Sequence, residues 1–320
     1  MLGLRSALPL FLLLIGTIVS PCSTWGDDQP TPAKGKAEEE ASLSSQLKAA
    51  KDSVAPTYQL AYKFSPGEEF RTKVVHLTTV ETTVKKVAST SKTRVISTRV
   101  WKIQSVDAKG NITFVNEVDE VDMWSSETGK GETKYNSTTD KDAPPGYEHM
   151  AKGVRTPLAT ITISPHGQIL KRENAFKQSN PGIGDLTIPF PPQAIVVGQT
   201  WSIPGELTPK YEQGRVQVIK TRQLSKLESV ENGVANISVE HQILTPVNDP
   251  KLHSQIVQRM QKGTIRFDLD AGRLLHKQMD LDESVIGFSG ADSSMQYVAR
   301  LTEEPVTNST VKKGSTSEKR

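Results

Sequence analysis

Side chains able to hold a metal, pass a proton or attack a carbonyl are spread thinly through this sequence. Its six histidines, His76, His149, His166, His241, His253 and His276, include no pair one helical turn apart and no His-Glu-x-x-His signature. Those are the spacings that bring imidazoles onto one zinc ion, so the six read as surface or satisfied interior residues. Asp268-Leu269-Asp270-Ala271-Gly272 matches the opening of a calcium loop. It lacks the third oxygen position, however, and Gln278 stands where the bidentate glutamate belongs. Hairpin turn chemistry is the expected reading.

Glu117-Val118-Asp119-Glu120-Val121-Asp122 is a denser acidic run. Paired carboxylates could do acid–base work or bind a cation, but a charged strand face that discourages edge pairing is expected instead. Gly287-Phe288-Ser289-Gly290 has the wrong spacing for a nucleophile elbow, and no glycine-rich phosphate loop precedes a helix. No catalytic residue, metal ligand or cofactor is therefore expected, and no nucleic-acid partner. Asn111, Asn136, Asn236 and Asn308 begin Asn-x-Ser/Thr triplets, which matter only in a host that glycosylates exported proteins.

The aromatics carry more information. Trp101, Trp124, Trp201 and Phe267 fall in or beside expected strands, as do Tyr58, Tyr62 and Phe64. A curved sheet lined this way is either a closed core or a clasp for an apolar ligand. The core reading is favoured; Trp101, Trp124, Trp201 and Phe267 are the candidate ligand-binding residues if the clasp is real.

The elements that must position them are mostly strands. Ile265, Phe267 and Leu269 alternate with polar residues, Asp270-Ala271-Gly272 turns the chain, and Leu275, Met279 and Leu281 resume the alternation, a β-hairpin. Strands are also expected over Tyr58–Phe64, Glu69–Val84, Lys92–Val106, Ile112–Trp124 and Ala159–Ile163. Further strands are expected at Gln193–Ile203, Arg215–Leu227, Val234–Leu244 and Met295–Leu301, with Glu231-Asn232-Gly233 as a hairpin turn. Glu127–Pro145 reads as a polar loop. One or two helical turns fit Tyr147–Lys152. Asp249 as cap, Pro250 in the first turn and Leu252, Ile256 and Met260 at helical spacing predict a helix that Gly263 would end.

Turn glycines match in order, Gly67 with Gly198, Gly110 with Gly233, Gly153 with Gly263 and Gly167 with Gly272. The expected fold is therefore mainly β: two related curved antiparallel sheets in tandem, each with a short helix. Residues 56–175 would form the first repeat and 193–303 the second, joined by a proline-rich link at 176–192, with a tail at 304–320.

Length and charge set the frame. The chain has 320 residues with 35% hydrophobic content, and 39 basic against 36 acidic residues leave +3. So balanced a charge gives no reason to invoke nucleic acid or an anionic membrane. Arg5 ahead of the apolar run Leu8–Val19 reads as a secretory signal over residues 1–26, too short to span a bilayer. A polar linker with a short helix follows over 27–55. Cleavage after Gly26 would remove Cys22, the only cysteine, and leave an exported, disulfide-free chain in the periplasm or outside the cell. The alternatives are lipidation at Cys22, disfavoured by Pro21 before it, and an uncleaved anchor.

Pro189-Phe190-Pro191-Pro192, then Val197-Gly198-Gln199-Thr200-Trp201, and later Gly263, Phe267, Asp268, Gly272, Arg273 and Leu274, resemble the motifs of an uncharacterised family of exported bacterial β-rich proteins. The resemblance covers residues 56–302 and implies architecture, with no site to transfer. A curved sheet with a helix also resembles the half-barrels of lipoprotein carriers in architecture alone. Three readings remain: a non-enzymatic binding or scaffold module for a hydrophobic ligand or envelope partner; a structural protein with filled sheets; and a hydrolase with a dispersed site. An open aromatic concavity, a packed interior, or a pocket of convergent carboxylates would separate them.

Overall fold

A computed structural model describes residues 55–175, 187–209 and 217–306. The expected signal, Cys22, most of the linker, Asn180-Pro181-Gly182, Asn308 and the tail beyond Val306 lie outside the described residues. Within them the chain forms β1 (Thr57–Tyr58), β2 (Glu69–Val84), β3 (Val87–Val106), β4 (Ile112–Glu127), β5 (Gly131–Asn136), β6 (Ala159–Ile163) and β7 (Ile169–Asn174). The second part adds β8 (Ile195–Val196), β9 (Thr200–Leu207), β10 (Ile219–Glu231), β11 (Val234–Ile243), β12 (Lys262–Asp268), β13 (Arg273–Ile286) and β14 (Ser293–Pro305). Two helices, Glu148–Gly153 and Pro250–Ile256, precede β6 and β12.

The mainly β, antiparallel expectation holds. The expected halves are not separate sheets, though: they are two arms of one 12-stranded open sheet, ordered β7-β6-β4-β3-β2-β14-β13-β12-β11-β10-β9, with β5 on the free part of β4. β14 joins them by pairing β13 on one side and β2 on the other. Leaving β5 aside, each arm runs strand, strand, strand, helix, strand, strand in the same direction across the sheet. Three glycine pairs share a left-handed backbone, Gly67 and Gly198 (φ 81° and 87°), Gly110 and Gly233 (78° and 76°), and Gly167 and Gly272 (77° and 64°).

The fourth pair breaks the pattern. Gly263 does not end the helix; it sits inside β12, where a Cβ would lie 1.8 Å from the Gln278 carbonyl oxygen. The helix stops at Ile256 and passes into a 3-10 turn, Val257–Arg259. Its start is as expected, with Pro250 in the first turn and the Asp249 carboxylate accepting from the Lys251 N–H. The expected loop at 127–145 contains β5, whose Gly-Glu-Thr-Lys-Tyr-Asn has one buried residue, Tyr135, too little for periodicity to register. The strand expected over Tyr58–Phe64 is reduced to Thr57–Tyr58, which pair with β8; residues 59–64 join no strand and pack by their side chains instead.

Strand alternation separates two faces. Val74, Trp101, Phe114, Ile161, Ile237, Phe267 and Leu301 fall on one face and pack into a continuous core. Helix 148–153 adds Met150 and Ala151 over Val118, Val121 and Met123, and helix 250–256 adds Leu252 and Ile256 over Ile219. Two non-strand stretches, Leu60–Phe64 and Ile188–Phe190, fill the remainder of that face together with Ile195 of β8.

The acidic run on β4 is neutralised in place. Glu117 binds Lys102 (2.6 Å), Asp119 binds Arg71 (2.6 Å), Asp122 binds Arg94 (3.3 Å), and Glu120 accepts from the Thr98 hydroxyl. A register shift opposite Thr98/Arg99 lets Val118 and Val121 both point inward, although they are an odd number of residues apart.

Gly167 and Gly272 combine a left-handed backbone with crowding. A Cβ at Gly167 would meet the Ile188 carbonyl oxygen at 2.4 Å, and one at Gly272 would meet Lys63 at 2.6 Å, whereas Gly129 (φ 80°) faces open space. Gly129→Ala should cost about 1–2 kcal/mol for the backbone alone. Gly167→Ala and Gly272→Ala should cost about 1–3 kcal/mol more from overpacking. Urea midpoints for the three variants check this, and equal losses would contradict it.

Candidate functional site

The inward face is closed by its own chain. Tyr62 lies at the centre, its ring 5.4 Å from Phe267, 5.6 Å from Phe190, 6.2 Å from Trp101 and 6.4 Å from Phe64. Trp101 stacks on Phe114 at 4.3 Å, and Phe190 meets Phe267 edge-on at 4.7 Å. Such offset and edge arrangements add to area burial. The two turns that the sequence paired hold this plug from either arm: the Tyr62 N–H donates to the Pro165 carbonyl (2.7 Å), and the Lys63 N–H donates to the Gly272 carbonyl (3.2 Å). His166 reinforces one clamp through Nδ1–H to the Leu60 carbonyl (2.9 Å) and through its own carbonyl, which accepts from the Phe190 N–H (2.8 Å). Arg273 reinforces the other by pairing with Glu68 and lying over the Phe64 ring.

Three of the four candidate ligand-binding residues are therefore spent on packing. Trp101 and Phe267 are buried in the core, and Trp201 packs against it and donates its indole N–H to the Pro189 carbonyl (3.0 Å). Trp124 stands apart from them, on the other face, donating to Glu132 (3.1 Å). The structure does not bring the four together.

Sequence reasoning missed a buried charge cluster beside the plug. Arg99, 2% exposed, donates to Glu303 at 3.1 Å, and Thr72 donates to the same carboxylate oxygen at 2.8 Å. Lys277, also buried, sits opposite Glu303 in register. Nothing local reveals this set, because its members come from β2, β3, β13 and β14.

The open feature lies on the opposite face. Residues from β5 across to β11 line one groove of about 1130 Å³. Its floor is a single cross-strand row: Trp124 pairs Arg94, Arg94 pairs Leu77, Leu77 pairs Arg300 and Arg300 pairs Asp280. Leu77 and Val298 are 43% and 40% exposed at its centre. Charge of both signs lines it throughout: Lys92, Arg94, Glu132 and Lys134 toward β5, and Arg300, Asp280, Asp282, Lys262 and Glu240 toward β11. Burial opposes ionisation of Asp280, but hydrogen bonds from Arg300 and Gln278 outweigh it and hold the carboxyl below its usual range. Glu132 is likewise held down, by the Trp124 indole and Lys134. Both are charged at neutral pH, so neither is poised to donate a proton. His76, on the covered face, is pushed down by burial. Among the described residues, no group of three or more His, Cys, Asp or Glu side chains is placed to hold a metal ion, and no helix is long and apolar enough to cross a membrane.

No family model and no curated protein matches the chain. Among solved structures, one of lipovitellin, described for its lipid–protein interactions, aligns with TM-score 0.43 and 12% identity over 77% of this chain. The chain spans about a quarter (26%) of that lipovitellin chain. DynF, from the dynemicin biosynthesis pathway of Micromonospora chersina, aligns with TM-score 0.21 and 9% identity over 79% of this chain and 86% of its own.

Tyr62 tests the plug. Its hydroxyl accepts from the Ile188 N–H (2.9 Å), and burial raises its pKa above the ordinary value near 10, the Ile188 contact offsetting part of the rise. Tyr62→Phe leaves that buried N–H unsatisfied and should cost about 1–3 kcal/mol. A raised folded-state pKa means stability that is complete below pH 10 and is lost progressively above it. Urea unfolding at about pH 8 and about pH 11 should show a steeper alkaline loss for the parent than for Tyr62→Phe. Parallel losses would contradict the buried-phenol account.

Proposed function

We propose that the protein is an exported, non-enzymatic binding module whose ligand lies in the groove between β5 and β11 rather than among the interior aromatics. The observation that carries this reading is a contrast between faces. The aromatic face is filled by residues 60–64, 188–190 and Ile195, while the other face keeps a groove of about 1130 Å³ with exposed Leu77 and Val298 on its floor. Large exposed apolar side chains within a charged rim suit an elongated ligand with an apolar body and charged ends. Export rests on Arg5 and the apolar run Leu8–Val19.

Native mass spectrometry of the protein purified from its own host tests both parts. The polypeptide mass should correspond to a chain beginning at Asp27, and a bound small species should accompany it. Leu77→Asp, at an exposed position, should abolish the bound species without changing the unfolding midpoint, and Trp101→Phe should retain it. A bare chain would overturn the ligand, and a chain retaining Met1 or carrying lipid on Cys22 would overturn the processing.

The filled interior also supports a second reading, a structural protein that associates through a sheet edge. β7 is exposed at all six residues, including Ile169 and Leu170, and forms one border of the sheet. Sedimentation of the parent as a monomer at high concentration would remove it. Tandem duplication is the origin we assign to the two arms, supported by their shared element order and the three glycine pairs. Superposing β9–β13 on β2–β7 should place Gly233 on Gly110 and Gly272 on Gly167, leaving β5 and β14 without counterparts.

A further inference from the structure

Two hairpin turns in the sheet have two residues each, and they use opposite chemistry. Between β10 and β11 the turn is Asn232-Gly233, with φ of 51° and 76°. Asn-Gly is the pair such a turn favours, because both central residues must adopt positive φ. Between β2 and β3 the same geometry is imposed on Lys85 and Lys86, with φ of 50° and 68°. Lysine gains nothing locally from that backbone. Both side chains are exposed, and neither has an ion-pair partner among the described residues.

Apolar exposure peaks at the same place. Ile286, 75% exposed, and Val87, 70% exposed, exceed every other exposed large hydrophobic among the described residues. Val87 follows the Lys85-Lys86 turn and pairs Val84. Ile286 ends β13 and pairs Ser294, which in turn pairs Thr83. The Lys85 N–H donates to the Asp292 carbonyl, so the β2–β3 and β13–β14 turns touch. The turn after β4 joins them at Thr90 and brings Lys130, which Glu127 holds at 2.8 Å. Asp292 and Glu81, which pairs Thr90, are the other acids of the cluster. This end of β2 lies far from the plug, about 46 Å from Phe70 at strand rise.

We infer that these turns form a peripheral docking surface for an anionic lipid bilayer. Isolated aliphatic side chains on narrow projecting turns are too small an area for a stable protein interface. They match the depth of a headgroup layer, which wants apolar groups beneath and cations at the phosphates. The cluster as a whole is close to neutral, with Glu127 pairing Lys130, so the attraction rests on the exposed Lys85 and Lys86 side chains at the turn itself. The tip contact does not require an occupied groove.

Co-sedimentation of the full chain with vesicles of equimolar phosphatidylcholine and phosphatidylglycerol is the test. The parent should sediment with them and stay in solution with phosphatidylcholine alone or in about 0.5 M salt, where screening is short-ranged. Lys85→Asn combined with Lys86→Gly gives the turn its preferred residues, so the variant should fold at least as well. It should nonetheless bind about twenty-five-fold more weakly, at roughly fivefold per lysine. Val87→Asp with Ile286→Asp should bind no better. Failure of the parent to sediment, or equal sedimentation of parent and Asn-Gly variant, overturns the inference.

Discussion

A sheet of twelve strands must take the larger part of one face out of water, and that requirement shapes the rest of the molecule. Two helices of six and seven residues are too small to cover so wide a surface. The remainder is covered by two segments with little regular structure of their own, packed through Tyr62 and Phe190. Such segments bring backbone polar groups into the interior, where each needs a partner. Here the partners are turn carbonyls, Pro165 and Gly272 for the first segment and His166 for the second. The close approach explains why both turns need glycine.

Much of the architecture was legible because period-two alternation is a direct record of a half-buried strand. β2, β6 and β14 could be placed from Val74, Ile161 and Leu301 and their neighbours. The turns at Gly110, Gly167, Gly233 and Gly272 could be placed because positive φ selects the residue type. β5 escaped because one buried residue in six makes no period. Gly263 was misread for a different reason: a glycine forced by backbone crowding across two strands looks the same in sequence as one that ends a helix.

The candidate site was less legible. Trp101, Trp201 and Phe267 were read from type and strand position, which cannot say what occupies the space in front of a ring. That space is filled by residues far off in sequence for Phe267, whose neighbours are Tyr62 and Phe190. The groove is assembled the same way, one or two residues per strand. Arg99 and Glu303 illustrate the limit: both would be taken for surface charges, yet they face each other inside, on neighbours of β2 that are 204 residues apart.

The placement of β14 has a kinetic corollary. The last described strand is also the seam, bonded on one flank to β13 and on the other to β2, whose residues precede it by more than two hundred positions. Loop closure over such distances is slow, and folds dominated by distant pairings cross their barriers late. Until Ser293–Pro305 emerges, β2 and β13 each expose a raw hydrogen-bonding border. The two arms can therefore become one sheet only once β14 has seated between them.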